Sequence, residues 1–412
     1  FRRSIMSTLT RYPTRKLAIL GGAPAFNEPL HVGRPNIVNR DRFQKRLDDL
    51  LDRNWLTNRG PYVREFEQRI AEYLGVKHCI AVCNATVGLE LAARAIGVHG
   101  EVIVPSFTFI ATAHALQWQE ITPVFADISA DSHTLDPSRL ERHITPRTTG
   151  ILATHLWGRA CDIDALQEIA NRRGLALFFD AAHAFGGTYR GRRIGNFGAA
   201  EVFSFHATKF LNSFEGGAIT TNDDALAEKI RLMTNFGFSG YDNVIYVGTN
   251  GKMTEVSAAM GLSNLERIDE LVAVNRTNLE EYGRGLDGLP GLRLLRPPES
   301  EQANCQYVVL EIDETCSPLH RDQLVTILHA ENVLARKYFW PGCHNMEPYR
   351  SYYPHAGLLL PETNRVARRV VVLPTGYTIG AEAIRLICGI IHDALNHATE
   401  CSGQPNRPPV AA

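Results

Sequence analysis

The chain has 412 residues, with 43 Lys and Arg against 44 Asp and Glu, a formal charge of −1 when its 15 His are neutral. That balance excludes an electrostatic case for binding nucleic acid or an anionic membrane, and 44% apolar residues exclude a disordered or fibrous chain. At roughly 150 residues per domain the length fits two or three domains, and no apolar run approaches the roughly 18 residues needed to span a bilayer.

Residues 1–27 read as an N-terminal arm, partly disordered. Arg2, Arg3, Arg11, Arg15 and Lys16 stand among Ser and Thr before the first acid, Glu28; the pattern also fits a transit peptide, but a mobile arm is the expectation. Residues 1–5, which precede Met6, stand outside the fold argument. With no signal-like apolar stretch near the start, the expected compartment is cytoplasmic. The eight scattered cysteines never form C-x-x-C, so reduced thiols and no metal site are expected.

Residues 28–282 are expected to form one large α/β domain. Short apolar runs at 79–83, 102–105, 123–126, 150–154, 176–180, 202–205 and 218–221 alternate with helix-like stretches. This is the pattern of a mostly parallel, seven-stranded sheet wrapped by helices. Leu89, Ala92, Ala93 and Ile96 recur at helical spacing before Gly97, and Asp162 can cap a helix through Ile163, Leu166 and Ile169 that stops at Gly174. A helical stretch over 256–286 closes the domain, and the Gly-, Pro- and Leu-rich segment 283–298 reads as a linker. Residues 283–400 are expected to form a small α+β domain, with β runs at 307–312 and 370–373 and helices over 321–330 and 381–396. Residues 401–412 read as a frayed tail.

Gly283, Gly285 and Gly288 satisfy G-x-G-x-x-G, but they end a charged helix instead of following a strand, so they carry no dinucleotide site. The informative region begins at Asp180, which ends the apolar run Leu177-Phe-Phe, with His183 three residues on and Lys209 farther along. An Asp at the C-terminal end of a buried strand lies where α/β sheets bind ligands, and its carboxylate needs a cationic or protonated partner. A Lys amid Phe203, Phe205, Phe210 and Phe214 is partly desolvated, which favours a nucleophilic amine. Alone, such a lysine is a surface residue; Ser204, His206 and Glu215 with Gly216 and Gly217 around it set it apart. An aldehyde-bearing pyridine, pyridoxal phosphate, would take both groups.

The segment SFHATKFLNSFEGGAITTND, residues 204–223, resembles the lysine signature of the DegT/DnrJ/EryC1/StrS family, sugar-nucleotide aminotransferases of the aspartate aminotransferase fold, the type I fold of pyridoxal-phosphate-dependent transferases. The likeness runs from residues 55–61 through this segment into 248–253, and more loosely to 335–341. It implies that Lys209 carries the cofactor aldehyde covalently, that Asp180 keeps the pyridine nitrogen protonated, and that His183 stands beside the ring hydroxyl. It further implies that Phe109 stacks on the pyridine face and that Ala85 and Thr86, in the strand-to-helix turn, bind the phosphate together with Ser204. Ala85 replaces the family's common Gly, and Lys252 stands where Arg is common. Asn250 matches an Asn whose loop reaches the partner subunit's site, which implies a homodimer with shared active sites. Tyr338, Trp340 and His344 are open to two readings, sugar-nucleotide contact or packing.

The function so implied is amination of a keto sugar nucleotide, dTDP-4-keto-6-deoxyhexose, with L-glutamate as donor and pyridoxamine phosphate as the alternate cofactor form. The product would be a dTDP-amino-deoxyhexose for natural-product glycosylation, including antibiotic biosynthesis. A 3-keto-hexose aminotransferase is the main alternative. A pyridoxamine-dependent sugar dehydratase of the same fold would replace the lysine with His, and a non-enzymatic regulator would lose Lys or Asp; the chain keeps Lys209 and Asp180.

Overall fold

The computed structural model describes residues 15–402; the expectations for 1–14 and 403–412 lie outside the described residues. Seven strands form the main sheet: β1 (His78–Val82), β2 (Glu101–Pro105), β3 (Thr122–Ala126), β4 (Thr148–Thr154), β5 (Ala176–Asp180), β6 (Glu201–Ser204) and β7 (Gly217–Thr221). Their order is β1-β7-β6-β5-β4-β2-β3. Only β7 runs against its neighbours; every other pairing is parallel. Strands covered on both faces read as unbroken apolar runs, and adjacent residues face opposite sides: Phe178 joins one core and Phe179 the other, as do Leu152 and Ile151.

The covering helices are α1 (Arg40–Arg53), α2 (Pro61–Leu74), α3 (Ala85–Ile96), α4 (Ile110–Gln117), α5 (Ile163–Arg173), α6 (Asp224–Thr234), α7 (Glu255–Leu265) and α8 (Ile268–Leu286). Asn84 caps α3 by accepting from the Val87 amide at 2.9 Å, and Gly97 ends it with φ 91°. Asp162 and Gly174 frame α5 in the same way. Gly88 lets α3 lie on the sheet, since a Cβ there would stand 2.8 Å from Val202 Cγ1.

A second sheet, β8 (Leu292–Leu294), β9 (Val308–Ile312) and β10 (Val370–Leu373), is antiparallel and packs with α9 (Arg321–Ala330) and α10 (Ala381–Asn396). Two readings of this region are corrected. The 256–286 stretch is two helices, α7 and α8. Segment 283–298 is not a linker: α8 runs to Leu286, and Leu292 pairs with Ile312 in the sheet. The glycines and proline punctuate only the intervening turn, while Leu286, Leu292 and Leu294 serve the second core. Helix α8 joins the two cores, with Leu271 in the first and Leu279, Tyr282 and Leu286 in the second.

Of the expected arm, residues 15–27 are among those described, and they are docked on the small-domain elements. Leu17 is 1% exposed in the second core. The buried Glu331 carboxylate accepts from the Ala18 and Ala25 amides at 2.6 and 2.7 Å and lies 3.3 Å from Arg15. Among the described residues no helix is long and apolar enough to cross a membrane. Replacing Glu331 with Ala strands two amides beside an apolar core, and is expected to cost about 1–3 kcal/mol, read as a lowered unfolding midpoint.

Candidate active site

The C-terminal ends of β1, β5 and β6 and the start of α4 meet at one end of the strands of the main sheet. Asp180 closes β5 and is 5% exposed. Its Oδ2 accepts from Thr112 Oγ1 at 2.7 Å and its Oδ1 from the Ala182 amide at 3.1 Å. Thr112 in turn meets Thr108 at 2.9 Å, and Thr108 receives Thr154 at 3.4 Å, so hydroxyls from three segments orient the carboxylate. Burial pushes the Asp180 carboxyl above its ordinary value, opposed by the Thr112 bond, the Ala182 amide and the Lys209 charge. A cation against it would stabilise the ionised form.

Lys209 Nζ lies 3.4 Å from Tyr307 Oη. Burial lowers its pKa to about 8, with Asp180 pulling the other way. The expected phenylalanine surround is corrected: Phe203, Phe205 and Phe210 are buried in the sheet's core, and Phe214 is 41% exposed, packed edge-on to Phe43. The ring that meets Lys209 is Tyr307, its centroid 6.0 Å away. His183 completes the cluster. Its Nε2 stands 3.2 Å from Tyr307 Oη, its ring stacks on Phe339 and Trp157, and its Nδ1 is buried without a partner. Burial and the Lys209 charge hold its pKa well below the ordinary value, so the ring is neutral.

Ala85 and Thr86 open α3, where the first amides have no intrahelical acceptor; Asn84 takes that of Val87. The ladder row Val82, Gly217, Ser204 sets Ser204 two strands from this turn. A Cβ on Gly217 would meet the Phe203 carbonyl at 2.7 Å and the Ala85 nitrogen at 2.9 Å, so the turn and β7 touch backbone to backbone. Phe109 is the N-cap residue of α4, one turn from Thr112, and is 57% exposed. Asn250 is exposed on a loop bridged to Asn235. Of the residues with two readings, His344 is a packing residue, held between Ser106 Oγ (2.6 Å) and Asn364 Oδ1 (3.1 Å). The Arg321 guanidinium lies over the Trp340 ring at 5.2 Å, and Tyr338 stacks on Phe339. His206 shapes its loop through Thr208 at 2.8 Å.

Sequence reasoning missed Thr112, Trp157, Tyr307 and Phe339 as site residues. Tyr307 begins a recognisable β run, but no local motif marks its hydroxyl as reaching another domain.

The donor set fits pyridoxal 5'-phosphate. A desolvated amine suits the aldehyde, a buried carboxylate suits a protonated ring nitrogen, and the partnerless His183 nitrogen suits a ring oxygen. The opening of α3, with Ser204 nearby, suits the phosphate. Among the described residues no His, Cys, Asp and Glu group could hold a metal ion.

The DegT/DnrJ/EryC1/StrS aminotransferase family matches residues 38–392. The chain is 34% identical over 361 residues to the Escherichia coli dTDP-4-amino-4,6-dideoxy-D-glucose transaminase, covering 87% of this chain and 96% of that one. It is 39% identical over 326 residues to GDP-perosamine synthase of Caulobacter vibrioides, covering 78% and 86%. The crystal structure of DesI with its TDP-sugar product superposes with a TM-score of 0.90 at 49% identity, covering 94% of this chain and 98% of that one.

Only a free amine adds to an aldehyde, and that of Lys209 is protonated below pH about 8 and free above it. Uptake of pyridoxal phosphate by the cofactor-free protein is therefore expected to fall about tenfold per unit below that pH and to level off above it, followed by the absorbance of the bound cofactor.

Proposed function

The chain belongs to the DegT/DnrJ/EryC1/StrS aminotransferase family and is a sugar-nucleotide aminotransferase with pyridoxal 5'-phosphate as cofactor; from that premise we propose that it moves an amino group from L-glutamate to C4 of a dTDP-4-keto-6-deoxyhexose. The observation that carries the chemistry is the Lys209 amine, desolvated in a cluster with Asp180, His183 and Tyr307. The choice of C4 over C3 is supported by the transaminases of Escherichia coli and Shigella dysenteriae, each named for dTDP-4-amino-4,6-dideoxy-D-glucose. The choice of a thymidine nucleotide is supported by them and by the TDP-sugar product of DesI. Lys209 speaks against a dehydratase.

When bound, the cofactor supplies an electron sink that makes the C–H bond beside the transferred nitrogen acidic. This chain's residues do the rest. Asp180, held by Thr112 and the Ala182 amide, keeps the proton on the ring nitrogen. The Lys209 amine would hold the aldehyde and, as the free base, would carry a proton at Nζ to and from the substrate. Ala85, Thr86 and Ser204 would hold the phosphate, Phe109 would cover the ring, and the neutral His183 would offer a nitrogen to the ring oxygen. Lys209→Ala is expected to lower turnover at least about a thousandfold, and borohydride is expected to label Lys209 in the wild-type protein. A panel of 3-keto and 4-keto dTDP-hexoses with glutamate, read by NMR, is expected to give product aminated at C4; amination at C3 alone, or of neither series, overturns the assignment.

The site is completed by a second copy. Phe236, Phe238, Tyr241, Val244, Ile245 and Val247 expose apolar surface on the loop that carries Asn250, the kind of patch that marks a protein interface. Light scattering is expected to give a dimer. Mixing inactive Lys209→Ala with Asn250→Ala protein is expected to raise activity above either parent, because the heterodimer regains one intact site; no recovery places Asn250 in its own chain's site.

A further inference from the structure

We infer that Tyr307 is a positioning residue that fixes the tautomer of His183, so that the ring presents an N–H at Nδ1 to the bound cofactor. The inference rests on the reading above in one respect, that His183 faces the ring oxygen of the cofactor; the tautomer itself follows from this chain's own contacts.

The Tyr307 hydroxyl stands between two nitrogens, Lys209 Nζ at 3.4 Å and His183 Nε2 at 3.2 Å. A phenol has one hydrogen to give and lone pairs to receive with. Before the cofactor is bound, Lys209 below pH about 8 is an ammonium that can only donate, so the phenol oxygen receives from Nζ and its hydrogen goes to Nε2; with Nζ bonded to the aldehyde carbon instead, the lysine no longer competes for the phenol hydrogen, which stays with Nε2. Burial pushes the Tyr307 phenol far above its ordinary value, so that hydrogen stays in place through the working pH range. The His183 ring is neutral and carries a single N–H. With Nε2 receiving, that hydrogen is on Nδ1.

Nδ1 is the nitrogen that has no partner in the protein, and it is buried. Its ring has no freedom to find one elsewhere. Trp157 and Phe339 lie nearly parallel to it, at 6.3 and 5.9 Å, and the Tyr307 ring is 4.5 Å away. The His183 carbonyl accepts from Asn304 Nδ2 at 2.8 Å and Gln306 Nε2 at 2.5 Å, which ties the backbone. A buried donor without an acceptor is costly, and an oxygen on the bound cofactor resolves that cost. With the opposite tautomer Nδ1 would present a lone pair and repel an anionic ring oxygen. Tyr307 thus sets, from just before the small-domain strand β9, the sign of the interaction that a large-domain histidine would make with the cofactor.

Histidine-selective nitrogen NMR of the holoenzyme tests this, with the His183 signals identified by their loss in His183→Gln. The expected wild-type spectrum has Nδ1 protonated and Nε2 unprotonated. Tyr307→Phe keeps the ring and removes the hydroxyl; His183 is then expected to populate the Nε2–H form, with a shifted cofactor absorption band and about tenfold slower turnover. A wild-type His183 carrying its proton on Nε2, or a tautomer unchanged in Tyr307→Phe, overturns the inference. Should Tyr307→Phe not fold, the wild-type spectrum alone decides. Where it folds, a double-mutant cycle separates positioning from packing: a glutamine amide offers N–H without help, so on the His183→Gln background Tyr307→Phe is expected to change turnover less than about twofold. Independent effects of the two substitutions overturn the inference. Borohydride labelling of Lys209 that persists while the tautomer fails would leave the aminotransferase reading standing.

Discussion

A carboxylate at the end of a central strand is the constraint around which the site is organised. Asp180 sits in the interior of the sheet, between β4 and β6, where an ionised group is unfavourable unless donors and a cation meet it. The fold supplies the donors from α4 and from the turn after β5, and it supplies Lys209 as a neighbouring charge. The same dry surroundings act on the lysine in the opposite sense, lowering its pKa and so making its amine available. One cause, exclusion of water from a strand end, thereby prepares an acid and an amine for the same ligand.

The small domain contributes to the exclusion of water. Tyr307 just before β9 and Phe339 between α9 and β10 close over His183, with Trp157 from the loop after β4. That loop is backed by His155, whose amide donates to the Asp180 carbonyl at 2.9 Å and whose ring stacks on Phe179 and meets Glu201 at 2.8 Å. Glu201 also accepts from the Gly195 and Phe197 amides, so a buried polar network ties β5, β6 and their loops together beneath the site.

Much of this was legible in the sequence because it is local. The seven strand positions follow from short apolar runs, and the caps at Asn84 and Asp162 from side chains that reach only three residues. Asp180 and Lys209 are legible because each sits in an unusual local context, an acid after phenylalanines and a lysine among small polar residues. Thr112 and Tyr307 were not legible, since their partners lie in other segments and nothing beside them in sequence marks a shared destination. The misread linker shows the reverse failure: Gly and Pro density is a real turn signal, but it says nothing of how short the turn is when leucines on both sides have a core to fill. That the described part of the arm, residues 15–27, docks on the small domain was not legible, because Arg15 and Lys16 beside Leu17 mask the one buried side chain among those described.

The single reversed strand has a consequence for the order in which the molecule is made. β1, which leads into the turn at Ala85, pairs in the sheet only with β7, far later in the chain. During synthesis the turn at Ala85 therefore emerges long before Gly217 is available to press against it. The parallel strands β2 to β6 can assemble among themselves in the meantime, while β1 waits as an unpaired edge. The contact between this turn and β7 therefore forms only after Lys209, earlier in the chain than Gly217, has already been made.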